Sequence, residues 1–167
     1  IITLSPHSFN ALKNEYPALG GQYQVFHYTQ LLAFAMGHLK FKDDSAPQPV
    51  TFHDPCYLGR HNWDYESPRM VLRAVPGLQL LEMDRNRKNA LCCGGGGGNF
   101  FTDILGGAEE SAARVRAAEA AATGAANLAV ACPICAVMLE DAAKTAGLAD
   151  SLQVREVTEI ISDALMA

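Results

Sequence analysis

Short apolar runs alternate with helical periodicity from one end of the chain to the other. Ile1–Leu4 is a brief apolar run, followed by Pro6 where a first helical turn tolerates proline. The pattern then predicts a helix through about Tyr16, closed by Gly20-Gly21. Tyr23–His27 reads as a strand, Thr29–His38 as a helix, and 40–48, rich in Pro, Asp and Lys, as a loop. Val50–His53 is a strand running into Asp54-Pro55-Cys56. Tyr65–Ala74 is helical, with Ser67-Pro68 near its start, and Pro76-Gly77 turns the chain into a strand over Leu78–Met83. The glycine run after Cys93 is a loop. Ala108–Thr123 is an Ala-rich helix ended by Gly124. Asn127–Ala131 and Leu152–Arg155 are strands; Pro133–Thr145, stopped at Gly147, and Thr158–Met166 are helices. Six strands alternating with helices predict an α/β fold of mostly parallel sheets with helices on both faces. In such sheets chemistry gathers at the carboxyl ends of strands. Cys56 and Cys132 each follow a predicted strand directly.

The chain also repeats itself. Ile2-Thr3-Leu4-Ser5-Pro6-His7-Ser8 lies over Ala129-Val130-Ala131-Cys132-Pro133-Ile134-Cys135 at an offset of 127 residues, which also carries Gly20 onto Gly147. After a two-residue slip, Val25 and Thr29-Gln30-Leu31-Leu32 lie over Val154 and Thr158-Glu159-Ile160-Ile161. Each copy is strand, X-Pro-x-X, helix, strand, helix, and Ser5 and Ser8 stand where the second copy has Cys132 and Cys135. This predicts two pseudo-repeated halves. Residues 1–45 would be the remnant of the first and 46–167 the complete second. The opening on Ile1 suits a piece of a longer protein, whose earlier residues would complete the first half.

Composition narrows the function. With 49% of residues hydrophobic and 19% charged, 167 residues suffice for a real core. A net charge of −5 argues against a nucleic-acid surface, which needs clustered Lys and Arg. No apolar run approaches the roughly 20 residues of a membrane span. Five cysteines, an odd count confined to 56–135, do not make a secreted disulfide framework. They point to a reducing, cytoplasmic compartment, with thiols used as ligands or redox groups.

The cysteines are spaced Cys56-x35-Cys92-Cys93-x38-Cys132-x2-Cys135. Cys-Pro-x-Cys at a strand-to-helix junction puts two sulfurs at a helix start, where the dipole and free N–H groups favour thiolate. Four or five thiolates make a soft, negative site suited to iron–sulfur clusters or zinc. Five exceed the four of a tetrahedral zinc site and favour a polynuclear centre or a bridging ligand. That gives Gly94–Gly98 a use, because backbone without Cβ folds tightly around a bulky group and aims N–H groups at its sulfurs. A phosphate loop fits less well. A dinucleotide fingerprint opening at Gly94 needs glycine where Asn99 stands, and no Gly-Lys-Ser/Thr follows. Nor does a flexible linker suit a run bracketed by Cys92-Cys93 and Phe100-Phe101.

Three segments together, His53-Asp54-Pro55-Cys56-Tyr57-Leu58-Gly59-Arg60, Leu91-Cys92-Cys93-Gly94-Gly95-Gly96-Gly97 and Ala131-Cys132-Pro133-Ile134-Cys135, resemble the cysteine-rich CCG domain. That domain occurs in catalytic subunits of heterodisulfide reductases and in iron–sulfur subunits of glycolate and lactate oxidation, often as two motifs in tandem. The resemblance implies that Cys56, Cys92, Cys93, Cys132 and Cys135 bind a [4Fe-4S] cluster beside Gly94 and Gly95. In heterodisulfide reductases this is a noncubane four-iron cluster that acts on disulfides; elsewhere in the family it mainly relays electrons. The implied protein is an iron–sulfur oxidoreductase subunit passing electrons to a disulfide or respiratory acceptor. Its implied partners are a ferredoxin-type iron–sulfur domain or subunit, a flavoprotein, or a membrane quinone-linked subunit through which it associates with the membrane. Ser5 and Ser8 depart from the family's cysteines, and serine is a poor ligand for iron–sulfur centres.

Two rival readings stay open: a zinc-held interaction module using four cysteines, and a metal-free dithiol oxidoreductase using Cys132 and Cys135. Among the remaining residues, His53 either donates near the cluster or is satisfied by backbone. Arg60 and His61 either offset cluster charge or lie in a solvated loop. Tyr65 and Arg69 read as a helix face, and Asn99 as a cap after the glycines. Phe100 and Phe101 either shield the cluster or pack in the core, and His7 reads as a surface helix-start residue.

Overall fold

A computed structural model describes residues 1–42, 46–102 and 111–166. Strand β1 (Ile2–Thr3) leads into helix α1 (Pro6–Asn10), which continues as a π turn over Ala11–Glu15 and a 3-10 turn over Tyr16–Leu19. The single helix expected there changes pitch because Pro17 has no N–H and disfavours helical backbone at Tyr16. Strand β2 (Phe26–His27), helix α2 (Tyr28–Ala35) and a 3-10 turn over Met36–His38 complete this unit. Strand β3 (Gln48–Phe52), helix α3 (Cys56–Gly59), helix α4 (Ser67–Arg73) and strand β4 (Leu78–Leu81) follow. A short helix α5 (Asn99–Thr102) comes directly after the glycines. The Ala-rich helix α6 spans Ala112–Ala122; the expected start at Ala108 lies outside the described residues. Strand β5 (Asn127–Val130), helix α7 (Pro133–Thr145), strand β6 (Gln153–Glu156) and helix α8 (Val157–Ala164) close the chain.

Two parallel sheets result. One is β1–β2; the other has the order β4-β3-β5-β6. Period-2 alternation decides what each face of the larger sheet buries. Val50, Phe52, Ala129 and Ala131 pack against Tyr28 of α2, Val71 and Leu72 of α4, and Ile160 and Ile161 of α8. Leu128 and Val130 point the other way, against Ala120 of α6 and Leu139 of α7. Each Val, Leu, Ile or Phe among these, once fully buried, contributes roughly 1.5–3 kcal/mol. Thr51 and His53 alternate with Val50 and Phe52 and are both buried, and His53 N–H extends the ladder to Ala129 O at 3.0 Å.

The chain leaves β3 toward β4 on one side and leaves β5 toward β6 on the other. The crevice between the carboxyl ends of β3 and β5 is therefore a topological switch point, where open α/β sheets place ligands. Cys56 lies just beyond β3 and Cys132 just beyond β5.

The β1–β2 and β5–β6 units share details. Thr3 is registered with His27, and Val130 with Glu156. These pairs are related by the same offsets as the sequence repeat. His27 and Glu156 each open the next helix with a capping box, closed by Gln30 and Glu159. Tyr28 Oη donates to Glu156 Oε2 at 3.1 Å, joining the two units.

Candidate metal centre

Each cysteine is delivered by a short loop or helix start. Cys56 opens α3, Cys132 caps α7 and Cys135 sits in its first turn, all on the switch-point crevice. Cys92 and Cys93 come up from the 3-10 turn over Arg87–Asn89. All five are free thiols. Their thiols act on one another in a chain, Cys56 with Cys92, Cys92 with Cys93, Cys93 with Cys135 and Cys135 with Cys132. The Cys56 and Cys92 end is half-buried; Cys93, Cys135 and Cys132 are buried. A ring nitrogen of His53 and the sulfurs of Cys93 and Cys135 all lie within 4.8 Å of one another.

The electrostatics of the line alternate. Bonds from Cys56 and then Cys93 hold the Cys92 thiol down at about 2, against the burial that opposes them. Cys56 is pushed up by its bond to Cys92 and then by burial. At Cys93 the bond from Cys135 pulls downward, but the bond to Cys92 and burial outweigh it and leave the thiol at about 11. Cys135 is raised by its bond to Cys132, then by Cys93 and burial. Cys132 is lowered by the bond from Cys135, helped by the N–H groups of Cys135 and Ile134 at the start of α7. Thiolate character is thus built into two of the five sulfurs, the form in which cysteine binds metal.

The glycines shape the near wall. Gly94, at φ 81°, donates its N–H to Cys92 Sγ at 3.3 Å, and the Gly95 N–H helps to lower the Cys93 thiol. Gly95 lies flat on α7: a Cβ there would sit 2.7 Å from Ile134 Cγ2 and 3.0 Å from Met138 Cγ. Gly95→Ala therefore wedges the Cys92-Cys93 segment off α7, destabilising the fold by about 1–3 kcal/mol. Chemical denaturation of Gly95→Ala beside Gly95→Ala/Ile134→Ala checks this, with the second change recovering part of the loss.

Other expected residues fall as follows. Asn99 opens α5, and its amide donates to Gly94 O at 3.0 Å. Arg60 is exposed, with its guanidinium bonded to the carbonyls of Lys88 and Ala90. His61 stacks on Tyr57 at 4.3 Å, and half-buried His7 leans on Tyr57 at 4.2 Å. Phe100 and Phe101 contact each other edge to face, but Phe101 is 85% exposed and belongs to neither a core nor a shield.

Two arginines were missed as site residues. Arg69, read as a helix-face residue, is fully buried. It makes paired bonds to Asp54 at 2.6 and 2.9 Å and to Glu82 at 2.7 and 2.8 Å, and donates to Tyr65 O at 2.7 Å. Arg116, also fully buried, donates from Nε to His53 Nδ1 at 3.1 Å. His53 and Asp54, the residues before Pro55-Cys56, are thus each clamped by a buried guanidinium. Burial, then the Arg116 charge, brings His53 down to about 3 and keeps its imidazole neutral. A signal for Arg116 exists in the sequence: Ala113, Arg116, Ala117 and Ala120 form one buried stripe of α6.

The donor set fits an iron–sulfur centre. Five cysteines strung along one crevice, a helix start, and a glycine N–H directed at a thiol are the elements that such a centre uses. The profile of the cysteine-rich domain family, CCG, matches residues 50–140, and the chain belongs to that family. It is 36% identical over 167 residues to the probable iron-sulfur-binding oxidoreductase FadF of Bacillus subtilis, covering 99% of this chain and 23% of that protein. It is 37% identical over 172 residues to EtfAB:quinone oxidoreductase of Syntrophomonas wolfei, covering 99% and 24%. It is 35% identical over 161 residues to a subunit of the dihydromethanophenazine:CoB–CoM heterodisulfide reductase of Methanosarcina barkeri, covering 94% and 38%. The chain therefore spans about a quarter to two-fifths of the length of these curated relatives.

Proposed function

We propose that this chain is the cluster-bearing portion of an iron–sulfur oxidoreductase. Cys56, Cys92, Cys93, Cys132 and Cys135 hold a [4Fe-4S] cluster, and electrons pass through it to a disulfide or respiratory acceptor. The observation that carries this reading is the unbroken line of five sulfurs at the switch point, open at Cys56 and Cys92. Zinc would use four of them and leave one buried or half-buried thiol without a role. A dithiol enzyme would use two. An iron–sulfur cluster supplies one-electron chemistry when bound. The chain's own groups then set its surroundings: N–H donors from Gly94, Gly95 and α7, a neutral His53, and a half-exposed edge through which an acceptor approaches.

The relatives' names support acceptors of the quinone and disulfide kinds, and a flavoprotein partner belongs to the same reading. A ferredoxin-type domain or subunit completes the path. In this reading membrane association runs through partner subunits; among the described residues no helix is long and apolar enough to cross a membrane. The matching strand registers and capping boxes support division into a first-repeat remnant, 1–45, and a second repeat, 46–167, in which Ser5 and Ser8 are poor ligands for a second cluster.

The test is iron, acid-labile sulfide and zinc content of protein prepared without oxygen, with paramagnetic resonance spectra. About four irons and four sulfides per chain are expected. One zinc and no sulfide would overturn the electron-transfer reading.

A further inference from the structure

Arg116 is an expensive residue to place where it is. An isolated buried charge is strongly disfavoured unless paired and hydrogen-bonded. Its side chain is 0% exposed, yet its satisfaction is incomplete. Nε donates to His53 Nδ1 at 3.1 Å, and Nη1 donates to Arg85 O at 2.7 Å and to Glu119 Oε2 at 3.0 Å. Nη2 is buried with no partner among the described residues. Glu119 is also shared, since Arg85 Nε bonds its other oxygen. Two guanidiniums thus divide one carboxylate, and the next carboxylate to act on Arg116, Asp54, is itself bound by Arg69. Arg69 offers the contrast: all of its donors are taken, by two carboxylates and a carbonyl.

The bond to His53 has a consequence for the imidazole. A guanidinium has donors only, so Nδ1 must accept, and in the neutral ring the proton then sits on Nε2. The ring prepared in this way lies beside the sulfurs of Cys93 and Cys135, the buried part of the thiol line. A buried donor left unpaired in a native fold calls for an explanation, and an anionic group seated next to it is one. We propose that Arg116 is a positioning residue of the metal centre: it locks His53 as the Nε2–H imidazole facing Cys93 and Cys135, and it sets a fixed positive charge with an open N–H donor behind the buried sulfurs. This rests on reading the five cysteines as an iron–sulfur centre. Because reduction adds negative charge, a nearby fixed cation favours the reduced state and raises the potential.

Two measurements test this separately. In the metal-free chain, imidazole ¹⁵N shifts report the tautomer of His53. The wild type is expected as Nε2–H, and Arg116→Met and Arg116→Lys lose that preference, since neither reproduces the Nε donor. In the anaerobically loaded protein, a potentiometric titration followed by paramagnetic resonance reports the midpoint. Arg116→Met is expected to shift it negative, so that the reduced-to-oxidised ratio at the wild-type midpoint falls about tenfold, or about 59 mV for one electron. Arg116→Lys keeps the charge and stays near the wild-type midpoint. A purely structural arginine would move stability and neither of these. An Nδ1–H tautomer in the wild type, or an unchanged midpoint in a loaded Arg116→Met protein, overturns the proposal. If the wild type takes up no iron, the function proposed above fails, and the tautomer still decides the role of Arg116 toward His53. Should Arg116→Met not fold, the wild-type tautomer and the Arg116→Lys pair decide.

Discussion

Replacing Arg69 with Met lowers the free energy of unfolding by about 3–5 kcal/mol, the cost of breaking a buried ion pair from one side. Asp54 and Glu82 would be left facing each other's charge without the guanidinium that both bind. Asp54 is 5% exposed and has little recourse to water. The damage extends beyond α4. Asp54 follows β3 two residues before Cys56 and also accepts Arg87 N–H at 2.8 Å, on the approach to Cys92. One arginine therefore ties together the two loops that carry Cys56 and Cys92. Arg69→Lys recovers only part of the loss, because an ammonium cannot make two paired carboxylate contacts. Urea unfolding followed by circular dichroism reads both variants. A loss below about 1 kcal/mol for Arg69→Met would show that the network is no stronger than a surface ion pair. Arg69→Met/Asp54→Asn should be less damaged than the sum of its single changes, since removing both charges leaves less unpaired.

Why the cysteines were readable and the arginines were not follows from what each depends on. Ligand chemistry is a matter of residue type and spacing, so Cys-Pro-x-Cys after one apolar run and Cys56 after another already place sulfurs at strand ends. Strand positions were equally legible, because Val50–Phe52 and Asn127–Val130 are short apolar runs framed by turn residues. A buried cation is defined by its partners, and these come from distant elements: Asp54 and Glu82 for Arg69, His53 and Arg85 O for Arg116. Locally, Ser67–Arg73 looks like an ordinary amphipathic helix. Arg116 was more accessible, since it falls in the stripe of alanines that turns inward. Phe100-Phe101 misled in the opposite sense. Apolar identity suggested burial, but the pair follows directly on the glycine loop, where Phe101 faces solvent.

Cys93→Ala is expected to reduce iron and sulfide in anaerobically loaded protein to below about a tenth of the wild-type content, while destabilising the metal-free chain by only about 1 kcal/mol. The contrast comes from position. Cys93 is the middle of the line, acting on both Cys92 and Cys135, so its loss splits the sulfurs into two separate pairs. As packing it is one small, soft atom in a pocket that Ala largely fills. Cys56 is the informative comparison. It stands at the half-exposed end, next to Cys92 alone along the line, and Cys56→Ala should load without oxygen and lose its iron quickly in air. Metal analysis before and after air exposure distinguishes the two. Full iron in Cys93→Ala would remove this residue from the ligand set and return the site to a four-sulfur centre. Equal and complete loss in both variants would mean that the open end binds the metal as firmly as the buried one. The acceptor would then have to reach the centre past a permanently occupied Cys56.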